Sequence, residues 1–393
     1  MKPLAGIRPL SGIRVADFTV HNAGPFCTHM LSQLGAEVVK VESAMRPDAY
    51  RKPHPVYGRE GAATFDQVAS NKLSVRINLK KAQGVALAKQ LVAVSDIAAE
   101  SFRAGVLARL GLGYEALKAV KRDIILLSVS SCGQDGPDSH FAGYAPLFGA
   151  WGGLSDLTGF ADGPPVEMRH VMDHSVGMHS AVAVMAGLMK RRATGEGSFI
   201  DVAAREVASA LAGEALLLAA AGGTPRRMGN AAQGLSPHGV FPALGEDRWI
   251  AISCRSDAER QALRRVIGSG DLSDDFSDDL ADGAISGWTC TREANHAAAL
   301  LQSAGVAAHV SWTTPEIAAD QHLRTRGAIV DVAEPDGTLR AAVGVPMRLS
   351  KCSEIGIVRG TPSLGEHEDY VYGALLGMSR AQRQALEEAE VIF

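Results

Sequence analysis

Short apolar runs and longer amphipathic stretches alternate along the first half of the chain. Residues 13–18 read as a strand, 21–24 as a turn, and 26–34 as a helix with Pro25 suited to its first position and Gly35 as its stop. Residues 36–42 form a second strand, which completes a βαβ unit of a parallel sheet. The pattern repeats. Residues 73–79 are strand-like, 81–94 helical, 96–100 a strand and 114–121 helical, and 124–130 is the apolar run of a fully buried parallel strand. A small-residue helix spans about 175–192 and ends in Lys190, Arg191, Arg192 and then Gly195, a basic last turn with a glycine stop. A strand at 198–202 and an Ala/Leu-rich helix at 203–221 follow, and Gly222, Gly223 and Pro225 break that helix. Beyond an irregular stretch to about 237 come a strand at 248–253, helices at 256–267 and 291–303, and a strand at 307–310. Residues 330–349 are extended around the turn pair Asp336-Gly337, and the last helix is 379–389.

This order predicts an α/β protein: a Rossmann-like, doubly wound large domain plus a smaller α+β domain. A chain of 393 residues is too long for one core. The expected division is a large domain over 1–205 completed by 325–393, a linker over 206–235 and a small domain over 236–324. A net charge of −4 argues against a nucleic-acid partner, so any anion site must be a local basic patch. No apolar run approaches the ~18 residues of a membrane span, and the first residues lack the apolar core of a signal peptide. Five scattered cysteines without a CxxC pair fit reduced thiols in a cytoplasmic protein and no zinc ribbon.

The residue that changes the picture is Asp173. It lies where the irregular segment around Gly163, Pro164 and Pro165 gives way to the small-residue helix. It is expected at or just before the positive end of that helix, where unpaired N–H groups stabilise an anion. Aspartate can form covalent intermediates, so a carboxylate held in a pocket mouth can be a nucleophile. The competing reading is a plain N-cap. The first βαβ unit also carries an acid, Glu42, where a dinucleotide site would place one. Its turn has only Gly24 and no GxGxxG, so no nucleotide redox cofactor is expected.

Several separate blocks then add up. They are residues 10–19 with Ala23, Gly24 and Pro25, residues 34–42, 71–74, 100–105, 110–114, 133–137, 191–197 and 364–367. In type and order they resemble the family III CoA-transferases, the group of formyl-CoA transferase and carnitine CoA-transferase. The resemblance implies coenzyme A as co-substrate, no metal, and an acyl-CoA and a small carboxylic acid as partners. It implies an interlocked homodimer, with CoA on the large domain and the small domain of a neighbouring subunit closing the site. Asp173 would attack the acyl-CoA carbonyl to give a mixed anhydride, and the returning thiolate would give an aspartyl-CoA thioester.

The resemblance also assigns roles. Asn22 stands where these transferases place a Gln near the aspartate, and would donate to the acyl carbonyl. Lys72, Phe102, Arg103 and Arg109 match the segments that grip CoA, and Arg46, Arg51 and Lys52 could extend the phosphate patch. Tyr144, Phe148, Trp151 and Met168 would wall the substrate pocket. Gln233 and Gly234 belong to the segment matching the glycine-rich loop over the aspartate, of which only Gly229 and Gly234 keep glycine. Other departures are Leu73 for an Arg, Ser101 for an Asn, which loses an amide contact, and Ala142 for a Lys. The last argues against formyl-CoA and oxalate as the pair. Two alternatives stay open. One is an α-methylacyl-CoA racemase with His140 as base. The other is a non-catalytic subunit of a heteromeric transferase.

Overall fold

The computed structural model describes residues 8–51, 63–168, 170–268, 279–333, 339–352 and 355–393. Lys52 and the Asp336-Gly337 pair lie outside them.

The first half runs β1 (Arg14–Phe18), α1 (Ala23–Gln33), β2 (Glu37–Glu42), α2 (Ala63–Ala69), β3 (Leu73–Arg76), α3 (Ala82–Ala93) and β4 (Ile97–Glu100). It continues with α4 (Val106–Arg109), α5 (Tyr114–Val120), β5 (Ile125–Ser130), α6 (Ala145–Trp151), α7 (Val171–Thr194) and β6 (Ser198–Ala203). Next come α8 (Ala204–Leu211), α9 (Gly213–Ala220), β7 (His238–Pro242), β8 (Trp249–Ser253), α10 (Asp257–Ile267), α11 (Asp279–Thr289), α12 (Ala294–Ser303) and β9 (Ala307–Val310). The chain ends with α13 (Thr314–Ala319), α14 (Gln321–Thr325), the hairpin strands β10 (Ile329–Ala333) and β11 (Leu339–Val343), a π-helical stretch Asp369–Leu375, and α15 (Arg380–Glu388).

β1 to β6 form one parallel sheet in the order β3-β2-β1-β4-β5-β6. Side chains alternate between its faces. Val15, Val38, Ile97, Ile125 and Leu127 pack with Cys27 and Leu31 of α1 and with Val176 and Val184 of α7. Ala16, Val39, Val75, Ala98 and Leu126 pack with Leu87 and Leu91 of α3, Leu117 of α5, and Val371 and Tyr372 near the C-terminus. Two covered faces explain why the strands read as near-continuous apolar runs. In this order the connections leave β1 and β4 toward opposite directions across the sheet. The crevice beyond the carboxyl ends of these two strands is the switch point where such sheets bind ligands.

Motif blocks far apart in sequence meet at the sheet edge. The Asn71 side chain accepts from the backbone N–H groups of Val358 (2.8 Å) and Arg359 (3.0 Å) and donates to the Gly356 carbonyl (2.8 Å). Ser74 receives the Gly365 N–H on its hydroxyl and the His367 N–H on its carbonyl. The chain divides into two compact units. One comprises Met1–Ser155, Glu167–Leu217 and Gln321–Phe393, and the other Asp156–Val166 and Leu218–Asp320. This redraws the expected boundaries, because residues 156–166 join the smaller unit and 206–217 join the larger. The helix expected over 203–221 is two helices broken at Ala212, beside Gly213, a poor helix former. β7, β8 and β9 build the sheet of the smaller unit, with its own core around Ile250, Leu263, Ile285 and Leu301.

Charges are buried beneath the switch point. Asp17, near the end of β1, accepts from Lys72 Nζ at 2.9 Å and Thr28 Oγ1 at 2.8 Å on one oxygen. Its other oxygen accepts from the Thr19 N–H and hydroxyl. Lys40 on β2 donates to the Thr19 carbonyl and to Asp48, both at 3.0 Å. Glu42 accepts from the Asp48 N–H and pairs with Arg51 at 2.8 Å. Burial alone would raise the Asp17 carboxyl, but Lys72 and Lys40 hold it below the usual aspartate range. Lys72, expected among the residues that grip CoA, is fully buried, and its ammonium is spent on Asp17, Thr28 and the Pro25 carbonyl. Arg51 is likewise committed to Glu42 and the Pro362 carbonyl, and lies 4.2 Å above the Phe65 ring.

Removing one partner of a buried pair costs more than removing both, since it strands an uncompensated charge. Asp17→Asn is expected to lower unfolding free energy by about 3–5 kcal/mol. The double variant Asp17→Asn with Lys72→Met should lose clearly less. Urea unfolding followed by circular dichroism measures both, and equal losses would refute the pairing.

Candidate active site

The turn after β1 is braced from three sides. Asp17 holds Thr19, Lys40 holds the Thr19 carbonyl, and the Ser101 hydroxyl accepts from the Val20 N–H (2.9 Å) and donates to its carbonyl (3.0 Å). Ser101 is the residue that departs from the family's Asn, and its hydroxyl fixes the turn. Gly24 is required here, because a Cβ would lie 2.8 Å from Thr19 and 2.9 Å from Ser101. The Phe26 N–H donates to the Asn22 carbonyl at 2.7 Å as α1 begins.

α7 crosses α1 closely. A Cβ on Gly177 would sit 2.8 Å from both the Ala23 carbonyl and the Phe26 ring. That approach brings the first turn of α7 beside Asn22. Asp173 is the third residue of α7, one turn earlier than the sequence placed the helix start. It is not the cap: His170 is, with a left-handed backbone (φ 63) and no side-chain capping bond. A carboxylate in a first turn faces unsatisfied N–H groups and the positive end of the helix dipole.

Asp173 is partly buried. Burial raises its carboxyl above the usual aspartate range, while a hydrogen bond from Asn22 and the nearby His170 and His21 pull it back in part, and Glu167 opposes them. Asn22 is 1% exposed. Its amide nitrogen lies 3.4 Å from His170 Nδ1, and its Oδ1 has no hydrogen-bond partner. The Asn22 amide is among the groups that pull the Asp173 carboxyl down. His174 stacks on Phe26 at 4.2 Å between centroids, and burial holds it below the usual histidine range.

Two tyrosines complete the surroundings. His21 also has a left-handed backbone (φ 66), and its ring meets Tyr50 and Tyr144 edge-on, at 6.0 and 5.5 Å between centroids. Burial and then the Asp173 charge push the Tyr50 phenol up, so it stays a donor. Sequence reasoning named Tyr144 but missed His21, Tyr50 and His170. The available signal was weak: histidine is one of the few non-glycine residues enriched in left-handed turns.

The segment after β4 lies across the switch point. Glu100 is buried, which pushes its carboxyl up to about 7, and it accepts the Phe102 N–H at 2.7 Å. Phe102 packs on the core beneath, and Gln134 accepts the Gly105 N–H at 3.1 Å. Arg103 and Arg109 are exposed on this braced loop, with Arg109 in the last turn of α4, and Arg46 is exposed after β2. Phe148 is buried, Trp151 half-buried and Met168 exposed. His140 is exposed with its ring tilted against Phe141, and the groups acting on the Asp173 carboxyl are Asn22, His170, His21 and Glu167. Gln233 and Gly234 (φ 78) lie exposed in the smaller unit. There the neighbouring residues 229–231 line a cavity of about 710 Å³ with His238, Ser253, Gln302 and His309. Among the described residues no cluster of three or more His, Cys, Asp or Glu is placed to hold a metal ion, and no helix is long and apolar enough to cross a membrane.

The chain is 31% identical to the succinyl-CoA–D-citramalate CoA-transferase of Chloroflexus aurantiacus, over 98% of each chain. It is 32% identical to the succinate–glutarate CoA-transferase of Agrobacterium fabrum, over 95% of this chain and 97% of that one. Its fold superposes on the crystal structure of a CAIB/BAIF family protein from Brucella suis with a TM-score of 0.85 and 29% identity, covering 94% of this chain and all of the other. The family model described as CoA-transferase family III matches residues 10–368, and the protein is therefore an enzyme belonging to CoA-transferase family III.

Proposed function

We propose that this enzyme moves CoA from succinyl-CoA to a second small dicarboxylic acid through covalent chemistry on Asp173. The observation that carries the reading is a partly desolvated carboxylate, in the first turn of α7, whose charge is favoured by the buried amide of Asn22. The substrate class comes from the relatives, whose names pair succinate or its CoA thioester with D-citramalate or glutarate.

A carboxylate oxygen of Asp173 bonds to the thioester carbonyl carbon. The C–S bond breaks, and CoA leaves as thiolate with the bonding pair. The thiolate then attacks the aspartyl carbonyl of the mixed anhydride, which releases succinate and leaves an aspartyl-CoA thioester. The acceptor carboxylate attacks that thioester, and the same steps in reverse yield the new acyl-CoA and free Asp173. Burial supplies the nucleophile with an incomplete solvent shell and protects the anhydride from hydrolysis. The positive end of α7 would stabilise oxyanion charge. Arg103, Arg109 and Arg46 are the exposed guanidinium groups assigned to the CoA phosphates, and Phe102 supports their loop.

The assembly belongs to the same proposal. Met178, Val182 and Met189 of α7 and Leu216 and Leu217 of α9 are exposed on the larger unit, Met189 and Leu217 by 73% each. Apolar surface of this extent fits burial against a second copy in an interlocked homodimer. The cysteines are free, which fits a reducing compartment such as the cytoplasm.

Three outcomes test this reading. Asp173→Ala should abolish turnover while leaving the thermal transition in place, and wild-type enzyme incubated with succinyl-CoA and then hydroxylamine should carry a hydroxamate on the Asp173 peptide by mass spectrometry. An unmodified peptide would remove the covalent mechanism. Protonated Asp173 cannot attack, so activity is present above its pKa and lost as pH falls through it. Asn22→Ala removes a hydrogen bond that lowers this pKa, so the acidic limb of kcat/KM should move to higher pH, with a loss of about tenfold or more for a bond to a charged group worth ~1.5–3 kcal/mol. An unmoved limb would separate Asn22 from Asp173. Sedimentation equilibrium should give twice the chain mass, and a monomer at micromolar concentration contradicts the assembly.

A further inference from the structure

Resting on the Asp173 reading, we propose that His21 determines specificity: its imidazole is the hydrogen-bond donor that receives the distal carboxylate of a short dicarboxylic acyl group carried on Asp173, with Tyr50 and Tyr144 aiming it.

The backbone points there first. A non-glycine residue in the left-handed region is strained and persists only where the surroundings over-determine it. At His21 they do. The Thr19 carbonyl is held by Lys40, Val20 is held through both its backbone groups by Ser101, and α1 begins two residues later. The ring is then fixed between two phenol rings at near-perpendicular angles of 86° and 84° while remaining half-exposed. Tyr50 is itself placed by the buried charges, since its N–H donates to Asp48, the partner of Lys40. A histidine held this way is poised for a guest rather than packed into the core.

The charge inventory selects the guest. His21 makes no ion pair among the described residues, yet it acts favourably on the Asp173 charge. His170 lies against the Asn22 amide, and His174 is stacked on Phe26 and biased to its neutral form. The buried carboxylate beside Tyr50, that of Asp48, is taken by Lys40 and the Tyr50 N–H. When Asp173 is acylated, its negative charge leaves with the thiolate and the anhydride is neutral. The Asp173 charge that His21 favours is then gone while the acyl chain is tethered nearby. A second carboxylate at the far end of that chain restores the interaction, whereas a methyl group cannot.

The test compares succinyl-CoA with butyryl-CoA, which carries a methyl where succinyl carries its distal carboxylate. Wild-type enzyme should favour succinyl-CoA in kcat/KM, and His21→Asn, which keeps a residue tolerant of the left-handed turn, should lower the succinyl-to-butyryl ratio about 10- to 100-fold, the size of a charge-assisted hydrogen bond. His21→Lys should recover part of the ratio. The ratio cancels any general effect on Asp173 or on folding. An unchanged ratio in His21→Asn, with the hydroxamate still forming on Asp173, overturns this inference alone. Absence of the hydroxamate in wild-type enzyme overturns the Asp173 reading and this inference with it.

Discussion

Six charges below the switch point set the geometry of the larger unit, with Asp17, Glu42 and Asp48 ranged against Lys40, Lys72 and Arg51. They sum to zero, and the side chains of all six are almost wholly withdrawn from solvent. Such a set is weak evidence for stability, because desolvation offsets most of the attraction. Its consequence is geometric. Each acid and base has few alternative partners in the interior, so each fixes the backbone it touches. Asp17 fixes Thr19, Lys40 fixes the Thr19 carbonyl, and Asp48 fixes Tyr50. Both the turn that carries His21 and Asn22 and one wall beside it are therefore set by electrostatics buried beneath them. A site built over this network would keep its shape through the proposed reaction, in which Asp173 loses and regains a charge.

The sheet was legible in the sequence because its strands are short apolar runs between clear helix stops. β1, β2, β4 and β5 lie within a residue or so of the runs that announce them. Lys40 and Lys72 defeat that kind of reading. A lysine is expected at the surface, where a phosphate can find it. What buries Lys72 is Asp17, 55 residues earlier on a strand two places away in the sheet, and no local pattern carries that pairing. The start of α7 was missed for a related reason. Pro164 and Pro165 signal an irregular segment, whereas the helix begins at Val171 behind a histidine whose left-handed backbone is supported by tertiary contacts.

The site divides along the same line. Asp173 and Asn22 were each singled out in the sequence, and the crossing of α1 and α7 at Gly177 brings their segments together. His21, Tyr50 and Tyr144 come from three separate connections that converge only because the topology brings the turn after β1, the segment after β2 and the start of α6 to one end of the sheet. Convergence of this kind follows from strand order, and strand order is a non-local property. The cavity between β7, β8, β9 and residues 229–231 was equally invisible beforehand, since β7 carries no strong alternation.

Two aspartates in this one unit show what the environment does to a carboxylate. Asp17 faces Lys72 and Lys40, and those charges overcome burial and hold it below the usual range. A carboxylate so strongly paired is a poor nucleophile, because its electrons are already engaged. Asp173 faces an amide and two imidazoles, with Glu167 opposing, and there burial prevails and the carboxyl rises. The same side chain is a fixed strut in one place and, in the proposed reaction, a nucleophile in the other. A full-time cation against Asp173 would have stabilised its charge at the expense of its reactivity. Histidines and an amide favour the carboxylate's charge only in part and leave its electrons to share, which is what the proposed reversible acylation demands.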